Sequence, residues 1–344
     1  TKQNLRGKLV KNRKVEKLRR DFPLCDEGDV IYMDSACMSL RPRCVMESMQ
    51  EYYESYPACS GRSSHALAEK ASLEYGRARD CVKKFLGARH SRQVIFTRNS
   101  TEGINMVSRM VGFSPGDAVL TTDREHNSNL LPWQRLADEG QIEHRVIPSA
   151  PDGTFDLERF RQMVASTENL RLVSVVHASN LDGYVLPVDE IVRTCRENDV
   201  LVLVDGAQSA PHVPLKLKDL APDFFVMSSH KACGPAGVGC LYVREELLED
   251  LSPFLVGGGT VDNSWYHRAD YADPPARFEA GLQNIPGAIG FGRACEYIRK
   301  VGRRKIEEHE KHLNTMLVEE TESMPEVQQV GVRDVGKKTG IFSF

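Results

Sequence analysis

"RLVSVVHASNLDGYVLPVDEIVRTCRENDVLVLVDGAQS", residues 171–209, reads as a strand, a helix and a second strand. Its two apolar segments, "RLVSVVHAS" and "VLVLVDGA", are rich in Val and Leu with little polar alternation. Strands of that kind are covered on both faces, as in a parallel sheet packed between helices. The intervening "PVDEIVRTCREN" has a helical pattern and the length of a βαβ crossover. An open parallel sheet takes its ligand in the crevice beyond the strand C-termini. Asp205, which follows five β-formers, therefore stands at the mouth of such a crevice.

The same alternation extends both ways. Upstream lie "QVIFT" and "TEGINMVSRMV", "AVLTT" and "SNLLPWQRLADE", then "HRVIP"; downstream lie "DFFVMSS" and "VGCLYV". The predicted fold class is α/β, a mostly parallel sheet sandwiched by helices. From residue 286 the chain turns strongly helical in period and propensity through Met324. "VQQVGV" and "GIFSF" follow as strand-like runs. The organisation expected is an N-terminal segment (1–30), a large domain (31–285) and the start of a smaller α/β domain (286–344). The last run stops at Phe344 with no polar end, so the chain reads as truncated there.

Charge and cysteine usage narrow the partners. Lys plus Arg (45) nearly balances Asp plus Glu (48), for a formal net charge of -3. That balance argues against nucleic acid as a partner, and small molecules or proteins are expected. The exception is "KLVKNRKVEKLRR", residues 8–20, which reads as a basic amphipathic helix with a solvated face. Nine scattered cysteines without CxxC pairs, no signal peptide and no long apolar run point to a reducing, cytoplasmic setting with no membrane association and no Cys/His metal site.

The candidate chemistry lies at the strand ends. "RNSTEGIN" sets Ser100 and Thr101 at a helix start, where hydroxyls either cap the helix or hold a phosphate. His126 follows "AVLTT"; Asn180 follows a strand, in an Asn-x-x-Gly turn. Gln208 lies three residues after Asp205, a carboxylate that calls for a cation, a metal or a protonated ring nitrogen. In "MSSHKACGPAGVGCLYV", residues 227–243, Lys231 sits between two apolar strands. An amine partly buried there has a lowered pKa and is a nucleophile toward carbonyls. A lysine of that kind, a phosphate cradle and an acidic partner for a pyridine nitrogen are together what pyridoxal 5′-phosphate (PLP) requires.

These residues resemble the fold-type I PLP-dependent transferases of the class V aminotransferase group, and most closely the cysteine desulfurases. The likeness rests on "YMDSACMSLRP", "STEGIN", "EHNSNLLPWQ", "SNLDG", "DGAQS", "SSHKACGPAGVGCLYV", "GGG" and "RFEAG". "EHNSNLLPWQ" is similar to the group II, Suf-type branch, some members of which act as selenocysteine lyases. The resemblance implies that Lys231 bonds PLP covalently and later moves protons. It implies that His126 stacks on the ring, Asp205 pairs with the ring nitrogen and Gln208 binds the ring's phenolic oxygen. Thr101, Ser228 and His230 would hold the phosphate, with Ser100 near it. Asn180 would touch the ring oxygen or the substrate carboxylate, and His65 would lie near the entrance.

The implied reaction converts L-cysteine to L-alanine, with sulfur leaving as a persulfide for iron–sulfur cluster or related assembly. The implied partners are a second copy of the chain and a sulfur-acceptor or scaffold protein. Two positions depart from the family. Leu282 stands where a small hydroxyl residue reaches the neighbouring subunit's phosphate. The family's sulfur-accepting cysteine and carboxylate-binding arginine fall beyond the last matching run, and Cys233, two residues after Lys231, reads as packing. Alternatives are a selenocysteine lyase, another enzyme of the group, or a catalytically idle scaffold with this fold.

Overall fold

The computed structural model describes residues 13–26, 30–61 and 63–344. Residues 8–12 of the basic N-terminal run lie outside these; Arg13–Arg19 is helical.

Seven strands form one sheet: β1 (Val94–Thr97), β2 (Asp117–Thr122), β3 (Ile142–Ile147), β4 (Leu170–Val176), β5 (Leu201–Asp205), β6 (Phe224–Ser228) and β7 (Gly239–Val243). Their spatial order is β1-β7-β6-β5-β4-β2-β3. Strand β7 is antiparallel to both its neighbours, β1 and β6, and the remaining pairs are parallel. Every apolar run named from the sequence upstream of residue 244 is one of these strands.

The sheet is covered on both faces because its side chains alternate. Phe224 and Val226 of β6, with Leu241 and Val243 of β7, join one core with Ile104, Val107, Trp133 and Leu136. Those last four come from helices α3 (Ser100–Met110) and α4 (Asn127–Asp138). Phe225 and Met227, with Cys240 and Tyr242, join a second core with Phe85, Phe160, Ile191 and Phe291. These come from α2 (Ala66–Leu86), α5 (Leu157–Ser166), α6 (Val188–Glu197) and α7 (Ile285–Val301), and α7 also packs on α1 (Arg43–Ser55).

Helix α7 opens the stretch that the sequence assigns to a smaller domain, yet Phe291, Cys295 and Ile298 belong to the sheet's own core. The helical run breaks at Gly302, and α8 (Arg303–Glu322) follows. Neither "VQQVGV" nor "GIFSF" is a strand, contrary to the pattern reading. Val330 donates its N–H to the Ser343 carbonyl at 2.9 Å, and the segment touches the large domain through an isolated bridge between Lys338 and Tyr184. Apolar alternation alone makes no strand where no sheet edge is aligned to pair with it.

Register places the chemistry. Asp205 lies opposite Val176 of β4 and Val226 of β6, so the ends of three adjacent strands line up. Gly206 follows because a Cβ there would come within 1.9 Å of the Phe225 ring. The close approach lets the chain turn sharply out of the sheet directly after the carboxylate.

Candidate active site

A cavity of about 490 Å³ opens at these strand ends. Ser100, Thr101, His126, Asn180, Asp205, Gln208, Ser228, His230 and Lys231 all line it. Separate strand-end segments therefore deliver all the cofactor-site residues singled out from the sequence to one place.

At one end two helix N-termini meet. Asn99 caps α3 by accepting the Glu102 N–H at 3.0 Å, and His126 caps α4 by accepting the Ser128 N–H on Nδ1 at 3.1 Å. Thr101 Oγ1 and Ser128 Oγ share a hydrogen bond of 2.7 Å across the junction. Ser228 at the end of β6 accepts the Ser100 N–H at 2.9 Å, and the two hydroxyls lie 2.8 Å apart. Aligned peptide dipoles with hydroxyls around them favour an anion, and phosphate in particular. Because His126 Nδ1 accepts a backbone N–H, the neutral ring carries its proton on Nε2.

At the other end are the ionisable groups. Asp205 is 3% exposed and accepts the Ala207 N–H at 2.9 Å. Among the described residues no ion pair reaches it. Burial pushes its carboxyl pKa up, against the pull of the backbone bond, Lys231 and His126. Burial likewise pushes Lys231 down, with the Asp205 charge opposing. Each group lacks a full counter-charge in a place where ionisation is costly. A protonated ring nitrogen beside Asp205 would supply that charge, and a lowered lysine pKa supplies the neutral amine needed to attack an aldehyde. The donor set thus fits PLP.

Gln208 also ties the 30–41 loop over the cavity, its Nε2 donating to the Ala36 carbonyl at 2.8 Å. The other amide hydrogen and the carbonyl remain for a ligand. His65 is not part of the cavity lining; it caps α2, accepting the Ala68 N–H at 3.4 Å. Cys233 packs against the sheet's core, and burial pushes its thiol up to about 11. Leu282 lies away from this cavity, 74% exposed beside Phe254 and Leu255 of another hollow.

Sequence reasoning missed Asp34, Ala36 and Cys37, which also line the cavity. They lie far upstream of the sheet, and no strand-end rule points to them. It missed Glu125 as well. This buried carboxyl accepts from Thr122 Oγ1 at 2.6 Å, Asn129 Nδ2 at 2.6 Å and the Val176 N–H at 2.9 Å. It joins the ends of β2 and β4 just before His126, and burial raises its pKa to about 7.

Known proteins agree with this architecture. Residues 31–344 match the aminotransferase class-V family model. A probable cysteine desulfurase of Streptomyces coelicolor is 37% identical over 342 residues, spanning 96% of this chain and 81% of the relative. A cysteine desulfurase of Escherichia coli O8 is 35% identical over 338 residues, spanning 96% and 82%. The solved apo structure of a cysteine desulfurase from Thermococcus onnurineus NA1 matches with a TM-score of 0.90 at 37% identity, covering 96% of this chain and 82% of that one. In sequence and in architecture, the chain belongs to the class-V aminotransferase family.

Proposed function

We propose that the chain is a PLP-dependent cysteine desulfurase that converts L-cysteine to L-alanine and passes the sulfur on as a persulfide. The observation that carries the reading is the convergence of Lys231, Asp205, His126 and the Ser100–Thr101–Ser228 hydroxyls on one cavity. The relatives named above, called cysteine desulfurases or probable ones, decide among the chemistries that such a site supports.

PLP, when bound, supplies an electron-withdrawing ring that lowers the cost of carbanion character on the substrate. The protein's own groups do the rest. Asp205 holds a proton at the ring nitrogen, at the end of a strand fixed on both sides. His126, locked by Ser128, presents a ring face of fixed orientation. The two helix N-termini, with Thr101, Ser228 and His230, hold the phosphate. Lys231 Nζ, its pKa lowered by burial, gives and takes protons at the substrate. Asn180 orients the substrate carboxylate or the ring oxygen.

The same reading takes residues 31–285 as the large cofactor-binding domain. Residues 286–344 are then the opening of a smaller one, entered through a helix that shares the large core. The chain works as a homodimer in the cytoplasm, in the manner of the Suf-type branch. A sulfur-acceptor or scaffold protein takes the product toward iron–sulfur cluster assembly. The test is product analysis of PLP-loaded protein given L-cysteine: alanine and acceptor-bound sulfur are expected in equal amounts. Alanine from L-selenocysteine alone would favour a selenocysteine lyase. Amino transfer to a 2-oxo acid without sulfur release would favour an aminotransferase, and no turnover with PLP bound would favour a scaffold.

A further inference from the structure

The turn after β4 lines the Lys231 cavity through Asn180, and the segment 331–343 grips the same turn. The Val185 N–H donates to the Lys337 carbonyl at 2.8 Å, and the Thr339 N–H donates to the Gly183 carbonyl at 2.9 Å. Ser343 Oγ donates to the Leu181 carbonyl. At Gly331, where φ is +83°, a Cβ would come within 2.2 Å of Asp182 Oδ2. Only glycine lets the backbone pass that close to the carboxylate.

These contacts meet on Asp182, which is 1% exposed. Its Oδ1 accepts the Tyr184 N–H at 3.2 Å, and its Oδ2 accepts Arg124 Nη1 at 2.9 Å and the Val332 N–H at 3.3 Å. Burial pushes its pKa up, but the Tyr184 N–H and the Arg124 charge outweigh this and hold it below the ordinary value. Arg124 is itself fixed, its Nε donating to Ser149 Oγ at 3.0 Å and its N–H to Thr122 Oγ1 at 3.2 Å. Arg124 stands two residues before His126, and Asp182 two residues after Asn180. His126 and Asn180 reach the cavity from the ends of adjacent strands, β2 and β4. One ion pair therefore joins the loop of the first, the turn of the second and the segment 331–343.

We propose that Asp182 is a positioning residue of this site: paired with Arg124, it fixes Asn180 and His126 relative to one another and makes that geometry depend on the seating of the segment 331–343. The inference rests on the cysteine desulfurase reading for the identity of the substrate. Displacing a positioning group by about 1 Å costs up to about 10²-fold in rate, so the pair acts on the chemistry without touching it. An isosteric amide cannot replace the carboxylate. Whichever way it turns, its NH2 faces a donor, either the Tyr184 N–H or the Arg124 and Val332 N–H groups. A pair that serves the fold alone is found at the opposite end of the sheet. There Asp223, just before β6, pairs with Arg244 at 2.8 Å and accepts the Val202 N–H at 2.8 Å.

The test uses the PLP-loaded full chain. Asp182→Asn and Arg124→Gln should each raise KM for L-cysteine by about 10-fold or more, the scale of misplacing one hydrogen bond to a charged group. The fall in kcat should be smaller, with PLP content kept. Arg124→Lys keeps the charge without the planar fork and should restore part of the affinity. Combined with Asn180→Ala, Asp182→Asn should add little further loss, because the two act through one group. Independently of turnover, both variants should quicken hydrogen exchange together in the peptides that hold Asn180 and His126. Arg244→Gln, the control, should lower Tm and leave KM and both peptides unchanged. Should Asp182→Asn fail to fold, Arg124→Gln decides by the same readouts. Stability lost with KM unchanged, or a loss that adds in full to that of Asn180→Ala, would overturn the proposal and leave the desulfurase reading standing. No alanine from wild type would overturn the desulfurase reading. The proposal would then stand on exchange that quickens in both peptides and fall on exchange that quickens in one alone.

Discussion

Two regions of the molecule bury charge, and they do so in opposite ways. Beneath β1, Arg79 forms a two-pronged pair with Glu279 at 2.6 and 2.9 Å. The remaining valences are closed by the Val94 carbonyl, the Tyr75 hydroxyl and the Phe96 N–H, all within 2.8 Å. At the strand ends, Asp205 has one backbone N–H and no ion pair, and Lys231 has no hydrogen-bond partner among the described residues. Both places remove ions from water, which costs several kcal/mol each unless the geometry compensates. The first site compensates internally and is structural. The second stays incomplete without something that brings a positive ring and an electrophilic carbon, which is the mark of a functional site.

The sharpest way to break this contrast is to remove the amine. Lys231→Ala should abolish alanine formation from L-cysteine, with the fold kept by circular dichroism. Measurable turnover above the cofactor-only control would contradict the role. Next in size is Asp205→Ala, expected to lower the rate by about 10³-fold, the scale of removing a key electrostatic group. Because Asp205 is unpaired, the same change should leave thermal stability level or raised. A large fall in Tm would make Asp205 a structural residue like Glu279.

Glu279→Ala should show the mirror image. Breaking one side of a buried, fully bonded pair costs about 3–5 kcal/mol, read as a fall in the denaturant midpoint. PLP content of the protein that remains folded should be unchanged. The smallest effect belongs to Glu125, whose pKa rises from 4.5 to about 7 on burial. A carboxyl that holds its proton more tightly when folded adds stability below pH 4.5, and this is lost as pH rises through 7. Wild type should lose on the order of 3–4 kcal/mol from this group across that window, at about 1.4 per pKa unit. Glu125→Gln should flatten the slope; an unchanged slope would place the titration elsewhere.

How far the sequence revealed this contrast follows from what each part depends on. The strands and the cavity residues at their ends were legible because each follows an apolar run, and a parallel sheet aligns those ends by register. Arg79 and Glu279 were not legible, being 200 positions apart. Nothing in a helix such as "EYGRARD" says that the second of its two arginines, Arg79, will be buried while Arg77 snorkels to water. Cys37 and Glu125 were missed for a related reason: one lies in a loop laid over the cavity, the other points back between strands. The C-terminal runs failed the other way, as alternation without a sheet edge to pair with.

A site that works as proposed requires Lys231 to be the amine to which the cofactor attaches. Borohydride reduction of PLP-incubated protein, followed by protease digestion and mass spectrometry, tests this directly. A pyridoxyl adduct on the peptide containing Lys231, and its absence from Lys231→Ala, is the predicted result. An adduct confined to another lysine, or none on protein that is visibly yellow, would contradict it.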